Sequence, residues 1–314
     1  MSTNDPTSAR PPFVRRDCFL ETAFEQRFQG LIRQAWRQRS WHVIAAVPGS
    51  GKSFGIHDLL LHSGATKVSS STTRLPVLAI RAPKNGTTEY ALGTALSAAF
   101  GVVPFMPWYT RRAWLVQAMA TAQVECLIID DAQDLALAHL AFLKELTDNL
   151  AAPPYQRQIS LCLVAAHTSG VMPFKEVFAR PDTLWRQFRR RLDTELPFCQ
   201  VLGHTAQEVR DILTTFETVY REQVPDLHLR RWATTITRWL THPTLDPEAS
   251  GRVTMDHVTR FVTSVVRQAY EQGASTVDAP LLERTAELMV LRRDDLVAID
   301  AGPAPSGFSV SEVG

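Results

Sequence analysis

Residues 46–53 run Ala-Val-Pro-Gly-Ser-Gly-Lys-Ser, and the chemistry this spacing serves is phosphate binding. Gly49 and Gly51 let the backbone curl so that successive N–H groups face phosphate oxygens. A helix opening near Lys52 adds its positive dipole end. Lys52 reaches the β- and γ-phosphates, and the Ser53 hydroxyl is a ligand for Mg²⁺. Pro48, Ser50 and Phe54 complete the stretch assigned to the nucleotide. The flanks fit: residues 41–46 (WHVIAA) are an apolar run and residues 54–61 are helical in pattern. That is the strand, turn and helix context a phosphate-binding loop requires. Ala46 stands where a glycine is usual, a small residue for a small one.

A nucleotide site of this kind needs an acid at the end of a second buried strand. Residues 124–131 read VECLIIDD, an apolar run ending in two aspartates. A run apolar on both faces belongs at the centre of a parallel sheet. Asp130 is placed to hold Mg²⁺, directly or through water. Asp131 falls where many ATPases carry a glutamate that orients the attacking water. Aspartate is one methylene shorter, so its carboxylate sits roughly 1.5 Å further back, and hydrolysis is then slow or depends on a neighbour. The other reading of Asp131 is a cap on the following helix.

These residues need elements to hold them. The 314 residues are 45% hydrophobic and 21% charged, enough for a full core in one large domain or two. Alternating strands and helices over residues 41–166 predict a doubly wound parallel α/β sheet with its ligand at the carboxyl ends of the strands. A helix over 20–38 precedes it, with Phe24, Phe28, Leu31, Ile32 and Ala35 along one face. Residues 63–74 read as a polar loop, 75–80 as a second strand, 89–100 and 111–121 as helices, and 159–166 as a further strand. Beyond residue 205 the pattern is helical, over 205–222, 228–241, 254–272 and 278–293. The expected organisation is a disordered stretch at 1–12, an α/β ATPase domain at 13–203, an all-helical lid at 204–300 and a flexible tail at 301–314.

Net charge is +1, so any nucleic-acid surface has to be a local patch. The four cysteines (Cys18, Cys126, Cys162, Cys199) form no CxxC pair, and the nine histidines form no metal cluster. Free thiols in a reducing cytoplasm are expected. An apolar signal region is missing at the start, and no apolar stretch reaches ~18 residues, so no membrane role is expected.

A P-loop α/β domain followed by helices resembles the layout of AAA+ ATPases. That resemblance assigns His167 or Thr168, after the strand ISLCLVAA, to the polar sensor near the γ-phosphate. It also makes the Gln187–Leu192 stretch (QFRRRL) the place for an arginine finger reaching a neighbouring subunit, and Arg252 a second sensor at the start of a lid helix. More narrowly, the chain resembles the TniB/TnsC-type transposition regulators, with MuB and the IstB-type helpers more distant. The resemblance is carried by FLETAFEQRFQGLIRQAW before the P-loop, by IIDDAQDL, by DTLWRQFRRRLDTELPF, which aligns Arg191 with the finger, and by the segment SGRVTMDHVTRFVTSVVRQAYEQGASTVDAPLLERT.

The resemblance implies an ATP-controlled switch on duplex DNA. With ATP and Mg²⁺ bound, copies assemble head to tail as a ring or filament and recruit a transposase under a target-selector protein, and hydrolysis releases them. DNA contact is expected to the phosphate backbone. Candidates are Arg81, Lys84 and Thr87 after the second strand, and Arg111 and Arg112 opening a helix; Trp108 and Tyr109 beside them pack on sugar or on protein. Two other classes stay open: a signalling or defence ATPase with protein partners alone, and a solitary P-loop kinase or nucleotidase, which needs neither a helical lid nor an arginine run.

Overall fold

The computed structural model describes residues 20–67, 73–102, 105–166 and 171–300. The expectations for residues 1–12 and 301–314, for Cys18 and for the sensor pair His167 and Thr168 fall outside them. The chain divides into two compact units, one centred on residues 21–203 and one on residues 204 onward.

The first unit opens with α1 (Ala23–Gln38). Thr22 and Glu25 start it with reciprocal capping bonds: the Thr22 Oγ1 accepts from the Glu25 N–H, and the Glu25 carboxylate accepts from the Thr22 N–H. Then come β1 (Trp41–Ala46), α2 (Lys52–Leu61), a small antiparallel pair β2 (Thr66–Lys67) and β3 (Thr73–Arg74), and β4 (Val77–Arg81). The pair β2–β3 lies inside the expected polar loop. After β4 the chain forms α3 (Glu89–Ala99), α4 (Trp108–Thr121), β5 (Cys126–Asp130), a 3₁₀ turn (Ala132–Asp134), α5 (Leu137–Ala151) and β6 (Ser160–Ala166). Two short helices, α6 (Lys175–Ala179) and α7 (Thr183–Arg189), lead to β7 (Phe198–Val201).

Five strands pair in parallel in the order β4-β5-β6-β1-β7. Alternate residues point to opposite faces, and both faces are covered. Val43, Leu127, Ile129 and Leu163 pack against α3, α4, α5 and α7 through Leu96, Leu115, Leu143 and Phe188. Ile44, Ile128, Cys162 and Val164 pack against α1 and α2 through Phe24, Phe28, Ile32 and Leu59. This double burial is why the central strands read as unbroken apolar runs. Short β7 joins one edge; its run of four residues between Pro197 and Gly203 is too brief to stand out from a loop in sequence.

The second unit is helical: α8 (Ala206–Val219), a 3₁₀ turn (Arg230–Trp232), α9 (Ala233–Leu240), α10 (Met255–Glu271) and α11 (Ala279–Asp300). Its core joins Ile212, Phe216, Ile236, Phe261, Val265 and Leu282. Thr205 and Glu208 cap α8 reciprocally, and the Thr254 hydroxyl caps α10. Among the described residues no helix is long and apolar enough to cross a membrane.

Candidate nucleotide-binding site

The phosphate loop joins the carboxyl end of β1 to the amino end of α2. Gly49 and Gly51 have φ of +75° and +107°, the left-handed region where a side chain is strained, so the curl depends on glycine at both. Gly51 is the residue before α2, whose first amide groups therefore open onto the loop. Lys52 is buried, and its Nζ donates to the Ala46 and Val47 carbonyl oxygens at 3.1 and 3.2 Å. Burial pushes its ammonium below the usual lysine range, against the pull of Asp130 and Asp131. The Ser50 hydroxyl is also buried in the loop and has no hydrogen-bond partner, an orphan donor in a cradle built for anions.

Across the site, the Ser53 hydroxyl donates to Asp130 Oδ2 at 2.7 Å, although 77 residues separate them. Asp130 ends β5 and is buried, and its Oδ1 accepts from the Asp131 N–H at 3.0 Å. Two hard oxygen donors so placed fit Mg²⁺, which takes one or two protein ligands and completes its shell with water and substrate phosphate. Phe54, the next residue of α2, is 56% exposed beside the loop.

Asp131 turns the chain out of β5 with φ +53° and ψ 38°. Its side chain makes no capping bond to the 3₁₀ turn, so the cap reading fails, and its carboxylate instead meets Arg81 Nε at 2.7 Å. Gln133, two residues on, accepts from the Ala166 N–H at 2.8 Å and ties this turn to the end of β6.

The arginine run divides. Arg189 donates to the Phe178 and Arg180 carbonyl oxygens. Arg191, aligned with the finger, is folded onto its own chain: it pairs with Asp148, donates to the Gln187 carbonyl oxygen at 2.9 Å and lies 5.5 Å over the Trp41 ring. Arg190 between them is exposed, and its side chain makes no hydrogen bond or ion pair with the described residues. Arg252 is not on a helix. It precedes Val253, which is bridged to His204, and α10 opens only at Met255.

One of the candidate DNA contacts, Arg111, requires correction, and Arg112 beside it is engaged in ion pairs. Pro107 starts α4 at Trp108, three residues earlier than expected, and the extra turn puts Arg111 on the buried side with Leu115, Val116 and Met119. Arg111 is 4% exposed, bonds Thr94 Oγ1 and lies 5.0 Å over the Tyr90 ring. Arg112 pairs with Glu89 and Glu145 against the Trp108 and Phe142 rings. Trp108 packs on protein and donates to Glu89, whereas Tyr109 is 77% exposed. Lys84 and Thr87 are exposed on the loop after β4.

A glycine-turned phosphate loop, its lysine, a serine–aspartate oxygen pair and five parallel strands in this order define a P-loop ATPase of the AAA+ fold. Residues 35–169 match the family described as AAA domain. Among solved structures the chain is similar to Cdc6p from Pyrobaculum aerophilum, at 16% identity and TM-score 0.54 over 85% of this chain and 67% of that one. It is similar to the Orc1 protein of Aeropyrum pernix in complex with DNA, at 16% identity and TM-score 0.55 over 93% and 72%. The Drosophila ORC bound to DNA gives 10% identity and TM-score 0.54 over 98% and 83%. At these identities the likeness is one of fold. No curated protein matches the chain in sequence.

Proposed function

We propose that this ATPase is an ATP-dependent, DNA-binding regulator of transposition that assembles head to tail on target duplex and recruits a transposase. The observation that carries the assembly is Arg190. It is an exposed guanidinium without a partner among the described residues, between two arginines that have one, in a chain with a complete phosphate loop of its own. Such a group suits the charge that develops on a phosphoryl group held by another copy. Sharing a site between copies makes assembly depend on the γ-phosphate by linkage. The transposition role, with its target selector, rests on the TniB/TnsC resemblance. A DNA role is supported by the fold shared with two proteins whose structures contain DNA and by Lys84 and Thr87 on the exposed loop that follows Arg81, the last residue of β4.

A second reading, an ATPase acting on protein partners alone, is favoured by one observation. Val102 and Phe105, between α3 and α4, and Tyr109 in the first turn of α4 are exposed, apolar surface that suits protein better than phosphate. Electron microscopy of the full chain with random-sequence duplex and ATP, ADP or no nucleotide separates the two. Rings or filaments on DNA with ATP alone, lost steeply as salt rises, support the DNA platform. ATP binding without assembly on DNA supports the protein-facing reading.

A further inference from the structure

We infer that the outer face of α1 is a second surface for the phosphate backbone of nucleic acid, set apart from the loop after β4, so that one protomer holds two duplex segments. The pattern begins in the sequence. Phe24, Phe28, Ile32 and Ala35 take the inner side of α1 against the sheet, which leaves Arg27, Arg33 and Arg37 exposed on the outer side with Gln26 and Gln38. Glu25 is the only acid in α1, and it is buried. At 1.5 Å per residue the three arginines span about 15 Å of helix. Arg33 donates to Gln29 Oε1 at 2.8 Å and is still exposed, and the Arg37 side chain makes no hydrogen bond or ion pair with the described residues. Past the end of α1 the charge continues. Arg39 and Arg74 share the Glu125 carboxylate, at 2.8 Å to Oε2 and 3.3 Å to Oε1, so two cations stand on one anion and the surface stays positive.

These features select a phosphate backbone over an acidic protein. Every cation of the surface is an arginine, whose planar fork matches phosphate oxygens, and glutamine is a neutral donor to the same oxygens. A protein partner needs apolar anchors at the centre of its contact. No large apolar residue of α1 is exposed, and Leu31 and Trp36 are half-buried against the core. Gly30 lies on the outer side with nothing within 4 Å of where a Cβ would stand, so a broad backbone can approach the helix closely. The position separates this surface from the first. The helix packs over β6, β1 and β7, whereas β4 lies at the far edge of the sheet, three strand steps or about 14 Å from β1. Arg39 and Arg74 stand before β1 and β4, at the amino ends of the strands, and Lys84 lies beyond the carboxyl end of β4. The two surfaces therefore face different edges of the unit and take two segments. An assembly that grips target duplex by the loop after β4 then carries a second row of arginines for another. Bridging rests on the DNA-binding reading of that loop; the α1 surface does not.

The test uses the full chain with ATP and Mg²⁺. Bead-tethered random-sequence duplex is loaded with protein, washed and offered a labelled duplex in solution, while fluorescence anisotropy gives the affinity for duplex across a salt series. The parent is expected to capture the labelled duplex. Arg33→Gln/Arg37→Gln is expected to lose capture about tenfold or more, with its unfolding midpoint and its ATP hydrolysis without DNA unchanged. Arg33→Lys/Arg37→Lys, which keeps the charge, is expected to retain most of it. In a Lys84→Ala background the glutamine pair is expected to flatten the log–log salt slope of duplex binding by about two, one for each phosphate contact removed. Capture by the glutamine variant equal to that of the parent overturns the α1 surface. A polyglutamate peptide that binds the parent and not the glutamine variant, with duplex capture unchanged, assigns the face to acidic protein and overturns it as well. A parent that binds duplex and captures no second one overturns the bridging. If Lys84→Ala leaves duplex affinity unchanged, the DNA reading of the loop fails and bridging with it, while the affinity of Arg33→Gln/Arg37→Gln still decides the α1 surface.

Discussion

At the residue scale the site depends on a few groups whose roles do not overlap. Lys52 is the cation we propose for the phosphates, and its buried ammonium rests on two backbone oxygens from which a triphosphate would take it. Lys52→Ala is expected to lower ATP hydrolysis by about 10²-fold or more, the scale of removing a preorganised charge from a phosphoryl site. A fluorescent ATP analogue should show the loss of binding, with the far-ultraviolet circular dichroism unchanged. The octapeptide was legible because its chemistry is local: consecutive residues make the loop. The fate of the arginines was not. A surface cation and a buried one are the same letter, and only the packing of Arg111 against Tyr90 and Thr94 separates it from Lys84.

At the element scale the strands and long helices were readable because burial imposes a period. The capped starts of α1 and α8 were readable because Thr and Glu three residues apart have a local reason to be there. The pairing of α3 with α4 was not, since it turns on a contact between residues 93 and 108. A Cβ on Gly93 would lie 2.3 Å from Trp108 Cη2, and that ring is held by Phe142, Tyr90 and its bond to Glu89. Gly93→Ala is therefore expected to destabilise the α/β unit by about 1–3 kcal/mol despite the better helix propensity of alanine. Thermal or urea unfolding measures this. Gly30, on α1 with open space around it, serves as the control: Gly30→Ala is expected to be neutral or mildly stabilising.

At the scale of the whole molecule, the question is what a second copy supplies. Arg190→Ala is expected to keep ATP binding and to lose about 10³-fold in kcat, the usual worth of an arginine finger. Arg191→Ala is expected to lower the melting temperature, because it removes a contact to Asp148. Mixing Arg190→Ala with Lys52→Ala checks the first directly. Each is inactive alone; turnover that returns on mixing shows the arginine of one copy completing the site of another. No recovery at any ratio, with both variants folded, removes Arg190 from the shared site.

The sequence by itself determined the phosphate loop, the acid pair, the parallel sheet and the helical region after it. Each is written in neighbouring residues or in a repeat set by the pitch of one element, so no distant contact is needed to read it. Only the tertiary structure decided what each charge faces: that Ser53 meets Asp130 across 77 residues, that Arg81 lies on Asp131, and that Arg191 is tied to Asp148 while the Arg190 side chain has no partner among the described residues. Those pairings join separate strands and helices, and the distance between two side chains is set by how the elements pack, a quantity no local pattern carries.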